Sequence, residues 1–533
     1  MKKYISGLVL ANMLLVSSCA DKLEVTPPNA ITDKQISELL ASGDTEKINL
    51  IMGGLANKLP EMFNYGSSGS LNVYDFSQGL DVMRSLIGND MILGDQTGLS
   101  ALMGTGEYEL GDFTSAESEK NFAYWKYAWA CITTANQMLN YLTDEVVGSN
   151  ATLKNYKAAG LVTRAWGYSI LMENYQDAYL QGGSSKLGIM LYDRFEPTQP
   201  NKARATSEET YAFIKNDLTT AVRLMKEGKL GVTKGVTRDI DLGVANFLLT
   251  RVSVCTGDWT TAISAADEVL KEFPTLMSEA QYGGKNTGTA TAPVYKPETN
   301  GFLNNAANPE VILGFPLGEA LTNFTAYMNP FGPGHGGLSR GYKRIDNRLY
   351  EKIADADYRQ DVFSKEPLGD YLYPSANTVA YIPSYTNTKF AATLGIGAAN
   401  GTQPINTTSQ SMRASEVLLM KAEAQAKSGN EAGAKATLNI LLAARTRSGA
   451  EVLTVDTYPS MQGLSALEMV QLQTRIEMWG ETGREFYNNK RWNIPVNRTS
   501  SSNHVTKSSL PVSGMTLQIP ENEMFYNPLI KQN

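Results

Sequence analysis

The 533-residue chain has two histidines, His335 and His504, and three cysteines, Cys19, Cys131 and Cys255. Two histidines so far apart leave little for a zinc hydrolase or a Ser-His nucleophile to use. No H-E-x-x-H, Walker A or C-x-x-C pattern occurs, and nothing in the sequence calls for a metal or cofactor. Basic residues number 47 against 54 acidic ones, a net charge of −7, and no run of Lys or Arg stands out. A nucleic-acid binder needs a concentrated basic footprint, so that class is excluded. With 42% hydrophobic and 19% charged residues, the chain can build a large core and is not a disordered polymer.

The N-terminus carries an address. Lys2 and Lys3 precede a mostly apolar stretch, residues 4–16, that is shorter than the roughly 20 residues needed to span a bilayer. It reads as a secretory signal. It ends in Val16-Ser17-Ser18-Cys19, which resembles a bacterial lipobox and implies cleavage before Cys19 and lipidation of its sulfur. Residues 1–18 are then the signal peptide. Residues 19–30, with Pro27-Pro28, form a polar tether between lipid and body. Cys131 and Cys255 both sit in helical patterns and are expected as buried thiols.

Helical periodicity fills residues 31–273 and 405–533. Phe122, Trp125, Trp129, Ile132 and Asn136 recur at three and four, on a helix expected to end near Val147-Gly148. A second helix covers residues 153–175, and Thr206 with Glu209 forms a capping box opening a third. Two helix pairs turn around Gly257-Asp258 and Gly429-Asn430, each with an alanine five residues after the glycine (Ala262, Ala434). That is the logic of tetratricopeptide pairs, although these two are not in tandem. The tryptophans on helical patterns (Trp125, Trp129, Trp166, Trp259 and Trp479) are expected in the core. Residues 274–404 differ: they hold 11 of the 21 prolines and ten tyrosines, with strand-like runs such as Val311-Ile312-Leu313-Gly314-Phe315. The expected fold is mainly α, a tetratricopeptide-like scaffold with a loop-rich, partly β insert that forms the ligand-binding face.

Chemistry motifs fail in context. Gly337-Leu338-Ser339-Arg340-Gly341 matches G-x-S-x-G, but the Gly- and Pro-rich residues before it cannot make the buried strand a nucleophile elbow needs. No carboxylate pair stands out for glycoside cleavage. The chain reads as a non-enzyme. The loop aromatics, among them Tyr65, Tyr74, Tyr282, Tyr327 and Phe331, stand beside Gly, Ser and Asn and suit sugar faces or peptides.

Ordered motifs across the chain then converge on one family. Tyr124-Trp125-Lys126-Tyr127 with Ala135-Asn136, Thr163-Arg164-Ala165-Trp166-Gly167-Tyr168 and Gly257-Asp258-Trp259 come first. Met412-Arg413-Ala414-Ser415-Glu416-Val417-Leu418-Leu419, Arg445, Arg475-Ile476-Glu477-Met478, Gly483-Arg484, Arg491-Trp492 and the tail Ile519-Pro520, Asn527-Pro528, Gln532-Asn533 follow. Together they resemble the SusD/RagB family of outer-membrane nutrient-binding lipoproteins of Bacteroidetes-type bacteria. Two positions depart: Gln473-Thr474 stands where the family usually has Glu-Arg, and Gln176 and Ala178 interrupt its Y-G-D-V.

The resemblance implies a lid on a SusC-like TonB-dependent transporter at the cell surface, lipid-anchored in the outer membrane, that captures oligosaccharides or, in some members, peptides. A lipid-anchored glycan hydrolase and a helical-repeat assembly scaffold are the rival readings. The matched motifs are scaffold motifs and carry no ligand contacts. Candidate contacts therefore come from aromatic, polar loop segments: Tyr65, Tyr74, Arg84, Asn89 and Asp90 in the first, Tyr282, Tyr327 and Phe331 in the second.

Overall fold

A computed structural model describes residues 32–61, 77–94, 114–235, 238–316, 328–332, 341–373, 377–393 and 408–533. Cys19 and the lipobox lie outside them. Its main elements in chain order begin with helices α1 (Asp33–Ala41), α2 (Thr45–Ala56) and α3 (Ser77–Leu86) and strand β1 (Met91–Leu93). Five long helices follow: α4 (Glu119–Leu139), α5 (Ala151–Tyr175), α6 (Ser207–Glu227), α7 (Leu242–Thr256) and α8 (Trp259–Glu272). Strands β2 (Val311–Pro316), β3 (Lys343–Ile345), β4 (Phe363–Ser364), β5 (Gly369–Tyr373), β6 (Thr378–Ile382), β7 (Thr386–Asn387) and β8 (Thr408–Arg413) make up the insert. The chain closes with α9 (Ala414–Lys427), α10 (Glu431–Arg445), α11 (Ala466–Glu477), α12 (Arg484–Trp492), the short pair β9 (Val496–Asn497) and β10 (Ser509–Leu510), and α13 (Glu521–Tyr526).

Each helix from α4 to α10 packs on the next, so the pairs α7/α8 and α9/α10 are neighbours in space although the insert separates them in sequence. Both turn on a left-handed glycine, Gly257 at φ 77° and Gly429 at φ 86°, a conformation that glycine reaches without a Cβ penalty. Asp258 and Asn430 then cap the second helix of each pair. Within the array α4 and α5 approach so closely that a Cβ at Gly167 would lie 2.8 Å from the Ala128 carbonyl oxygen. The expected capping box at Thr206 and Glu209 forms, opening α6. Cys131 and Cys255 are free and buried, and Trp125, Trp166 and Trp479 belong to the core.

Two boundaries differ from expectation. The tryptophan helix stops at Leu139, because the Asn140 side chain bonds both the amide and the carbonyl of Phe195. Thr143 then caps a separate turn of helix, Asp144–Val147. Met412 and Arg413 are strand rather than helix, since they pair with Leu313 and Val311 across β2 and β8. That antiparallel pair closes the base of the insert where α9 begins. A four-stranded sheet in the order β1-β3-β7-β4 recruits β1 from the N-terminal part, and β5 and β6 form a separate hairpin.

Candidate functional site: the insert and its base

The insert is joined to the helices by a buried ionic cluster. Four cations, Arg359, Lys389, Arg413 and Arg445, meet four carboxylates, Asp357, Glu310, Glu477 and Glu481. Glu477, at the end of α11, is the hub: Arg413 and Arg445 reach its Oε1 at 2.8 Å, and Arg359 reaches Oε2 at 3.0 Å. Glu310, just before β2, accepts from Arg413 and Arg445 at 2.8 Å each. Burial alone would push the Glu477 carboxyl up, but Arg445, Arg413 and Arg359 outweigh it and hold the group well below the usual carboxylate range. Burial likewise pulls the Lys389 ammonium down to about 8 despite Glu481 beside it. The Arg359 guanidinium also donates to Gln473 Oε1 at 2.6 Å. Gln473 is one of the positions at which this chain departs from the resembled pattern. A neutral amide there keeps the cluster at four charges of each sign, where a glutamate would add an unmatched anion.

Above the cluster lies a smaller aromatic layer. Tyr295 stacks on Phe331 with ring centroids 4.9 Å apart, and Tyr371 meets Phe331 edge-on at 4.9 Å. Tyr342, Ile382 and Ala391 complete this second core. The β5–β6 hairpin rests on it through Tyr371 and Tyr373, while alternate residues face solvent: Leu372 is 50% exposed, Val379 56% and Tyr381 52%. The pairs Asp370–Tyr381 and Leu372–Val379 lie directly opposite one another across the hairpin. The hairpin thus presents a fixed face of one ring, Tyr381, two apolar side chains and the Asp370 carboxylate.

The expected contacts fare differently. Tyr65, Tyr74 and Tyr327 lie outside the described residues. The other five are inside the protein and have internal partners, so they are not surface ligand groups. Arg84 pairs with Asp81, and its guanidinium lies between the rings of Tyr124 and Tyr487, 4.6 and 4.2 Å from their centroids. Asn89 donates to the Pro495 carbonyl at 3.2 Å and accepts the Asn497 amide at 2.7 Å. Asp90 accepts Arg475 Nε at 2.8 Å, and its carbonyl accepts the Trp479 indole. The cavity that Asp90 helps line is about 20 Å³, too small for a sugar ring. Tyr282 packs edge-on against Phe302, lies under the Arg445 guanidinium and donates to the Glu477 carbonyl. Phe331 is the middle of the aromatic layer.

The exposed hairpin ring Tyr381 is not among the expected contacts. Period-two alternation in Asp370-Tyr371-Leu372-Tyr373 and Val379-Ala380-Tyr381-Ile382, turning at Asn377 (φ 46°), is the signal that marks it. For Lys389 and Glu481 no local signal exists.

Fold and motif assignments meet in the comparisons. The model of the SusD family matches residues 284–533, and one described as "starch-binding associating with outer membrane" matches residues 91–232. The chain belongs to the SusD/RagB family. Among solved structures it is similar to a SusD superfamily protein from Bacteroides thetaiotaomicron, at 18% identity and TM-score 0.67, covering 90% of this chain and 99% of that one. It is also similar to a SusD-like carbohydrate binding protein from Bacteroides vulgatus, at 19% identity and TM-score 0.66, covering 90% and 97%. A third is surface glycan-binding protein A from B. thetaiotaomicron in complex with laminarihexaose, at 15% identity and TM-score 0.62, covering 91% and 99%. The search of curated proteins gives no match. These structures share the tetratricopeptide-like helical fold.

Proposed function

We propose that this chain is a cell-surface glycan-binding lipoprotein, held in the outer membrane through lipid on Cys19. It captures oligosaccharides as the lid subunit of a SusC-like TonB-dependent transporter. Family membership over two matched regions is the observation that carries this reading. It is supported by the description of the second matched family as starch-binding and outer-membrane-associated, and by the similar protein solved with laminarihexaose. Among the described residues no helix is long and apolar enough to cross a membrane, which fits attachment by lipid. Capture falls to the insert face, where Tyr381 stands with Leu372 and Val379 on a hairpin whose other side is fixed in its own core, with Tyr65, Tyr74 and Tyr327 as further candidate contacts. Binding without bond cleavage is proposed. Within the described insert base, the carboxylates Glu310, Asp357, Glu477 and Glu481 are engaged by arginine or lysine, leaving no paired acid and base there.

The test is a pull-down from native outer membranes together with calorimetry against laminarihexaose, maltohexaose and a peptide pool. Copurification of a TonB-dependent barrel, and glycan binding without hydrolysis, are the expected results. A Cys19→Ala chain should leave the outer-membrane fraction. Recovery of that variant with the membrane, or a wild type that binds no glycan and no barrel, overturns the proposal.

A further inference from the structure

The C-terminal tail builds a second polar cleft, away from the insert. It measures about 750 Å³ and is walled by the 3-10 turns after α5, the approach to α6 and the last twenty residues. Its charged side chains Asp177, Lys186 and Arg204 already have internal partners. Asp177 pairs with Lys186 and accepts the Thr516 hydroxyl. Arg204 donates to the carbonyls of Gly188, Leu187 and Lys531 at 2.7, 3.0 and 2.9 Å. The other lining groups are amides and hydroxyls, partly engaged: Gln518 Oε1 accepts the Ala116 amide, Asn533 donates to the Leu517 carbonyl, Ser185 donates to the Gly182 carbonyl and Thr206 caps α6, while Ser513 is exposed. A wall of neutral donors and acceptors with no uncommitted cation does not suit phosphate or a polyanion. It suits a neutral, hydroxyl-rich ligand.

Midway along the same tail stand the most exposed rings of the described residues. Phe525 is 79% exposed and Tyr526 74%, with Leu529 at 52% beside them. The two rings meet edge-on with centroids 5.1 Å apart. They are carried rigidly. The Trp125 indole donates to Glu523, Met524 packs on the core, and Asn201 donates to the Tyr526 carbonyl at 2.8 Å. Asn527 donates to the Lys202 carbonyl at 2.9 Å, and Gln532 closes a two-way bond with Ile519. Residues 201–204 therefore run alongside residues 526–531, with Asn201 at the rings and Arg204 at the cleft. Three residues of extended chain, roughly 10 Å, connect the two.

We infer that the cleft and the Phe525–Tyr526 rim form a second carbohydrate-binding site, for a neutral oligosaccharide that stacks on the rings and hydrogen-bonds along the amide wall. This inference rests on the glycan-binding reading above and extends it to a different face. The patch is the wrong size for a protein. Two rings and a leucine offer roughly 400 Å², short of the roughly 600 Å² per partner of even a small specific protein–protein interface. Sugar rings, with one apolar face and hydroxyls at the edge, match both halves of the site.

The experiment is affinity gel electrophoresis of the folded full-length body in laminarin and in soluble starch. It compares wild type, Phe525→Ala/Tyr526→Ala, Ser513→Trp (which fills the cleft from an exposed position) and Tyr381→Ala in the insert. Circular dichroism checks that each variant is folded. In whichever polysaccharide retards wild type, the ring variant and Ser513→Trp should each lose at least threefold in apparent affinity. If both run as wild type while Tyr381→Ala does not, the tail site is wrong and the insert reading stands. A wild type that neither polysaccharide retards overturns both. Ring variants that change self-association in size-exclusion chromatography, or sedimentation with phosphatidylethanolamine/phosphatidylglycerol vesicles, while leaving retardation intact, assign the patch to a second copy or a membrane and overturn the inference.

Discussion

The helical array and the base of the insert are held by different means. Between α4, α5 and α6 the contacts are mainly alanine, leucine, tyrosine and tryptophan, with a buried Arg164–Asp217 pair joining α5 to α6, and the approach is close enough to require Gly167. At the base of the insert the contacts are eight charges packed out of water. Apolar ridges tolerate a lost methylene by partial collapse. A buried ionic cluster does not, because each charge is stable there only while its counter-charge is present.

The sharpest break of that contrast is Glu477→Ala. It leaves Arg359, Arg413 and Arg445 without their shared carboxylate and should cost about 3–5 kcal/mol, read as a large fall in the urea midpoint. A loss no greater than that of a single core truncation would mean the two regions are held alike.

Acid should separate the regions as well. Glu477 and Glu310 titrate below their ordinary value of 4.5. The array has a counterpart in Glu173 of α5, whose burial is outweighed by its Arg484 ion pair and which is held down to about 2, but the cluster gathers Glu477 and Glu310 on shared arginines. Folded values below unfolded ones mean that their stabilisation is complete above about pH 4.5 and drains away as pH falls toward 2. Urea midpoints at pH 6, 4 and 3 should fall in that order. Chymotrypsin-accessible sites in the insert should open before those in α4 and α5. Simultaneous opening would show that the cluster is not the weaker seam in acid.

Gly167→Ala tests the array on its own terms. The new methyl meets the Ala128 carbonyl and the Ile132 side chain, so α4 and α5 must part, at about 1–3 kcal/mol by thermal denaturation. Thr206→Ala, which removes the cap of α6, should cost least, about 1 kcal/mol. A cost above that of Gly167→Ala would reverse the ranking within the array.

Local order was legible where its cause is local. The glycine turns at Gly257 and Gly429 and the Thr206 box each depend on residues within one or two helical turns. Arg413, Arg445, Arg475 and Glu477 could be read as family markers, but not as a charge cluster. Glu310 lies 103 residues from Arg413, and Arg359 lies 118 residues from Glu477. The same distance misled the site assignment. Arg84, Asn89 and Asp90 sit in a Gly-, Ser- and Asn-containing segment that looks exposed, yet Tyr487, Asn497 and Arg475, nearly 400 residues later, cover them. Polar composition marks a loop; it does not say what closes over it.

The stacking of α8 on α9 also sets a timetable. In a tandem repeat the two helices would be joined by a few residues, but here about 140 residues must be looped out first, some five doublings of length and roughly 3 kcal/mol of additional closure entropy. During synthesis the N-terminal helices emerge and pair long before α9 exists, and the outer face of α8 waits uncovered. The seam between the two halves is thus a late event in folding. The β2–β8 pairing beside it, with the charges gathered at its root, acts as the clasp that shuts the circle.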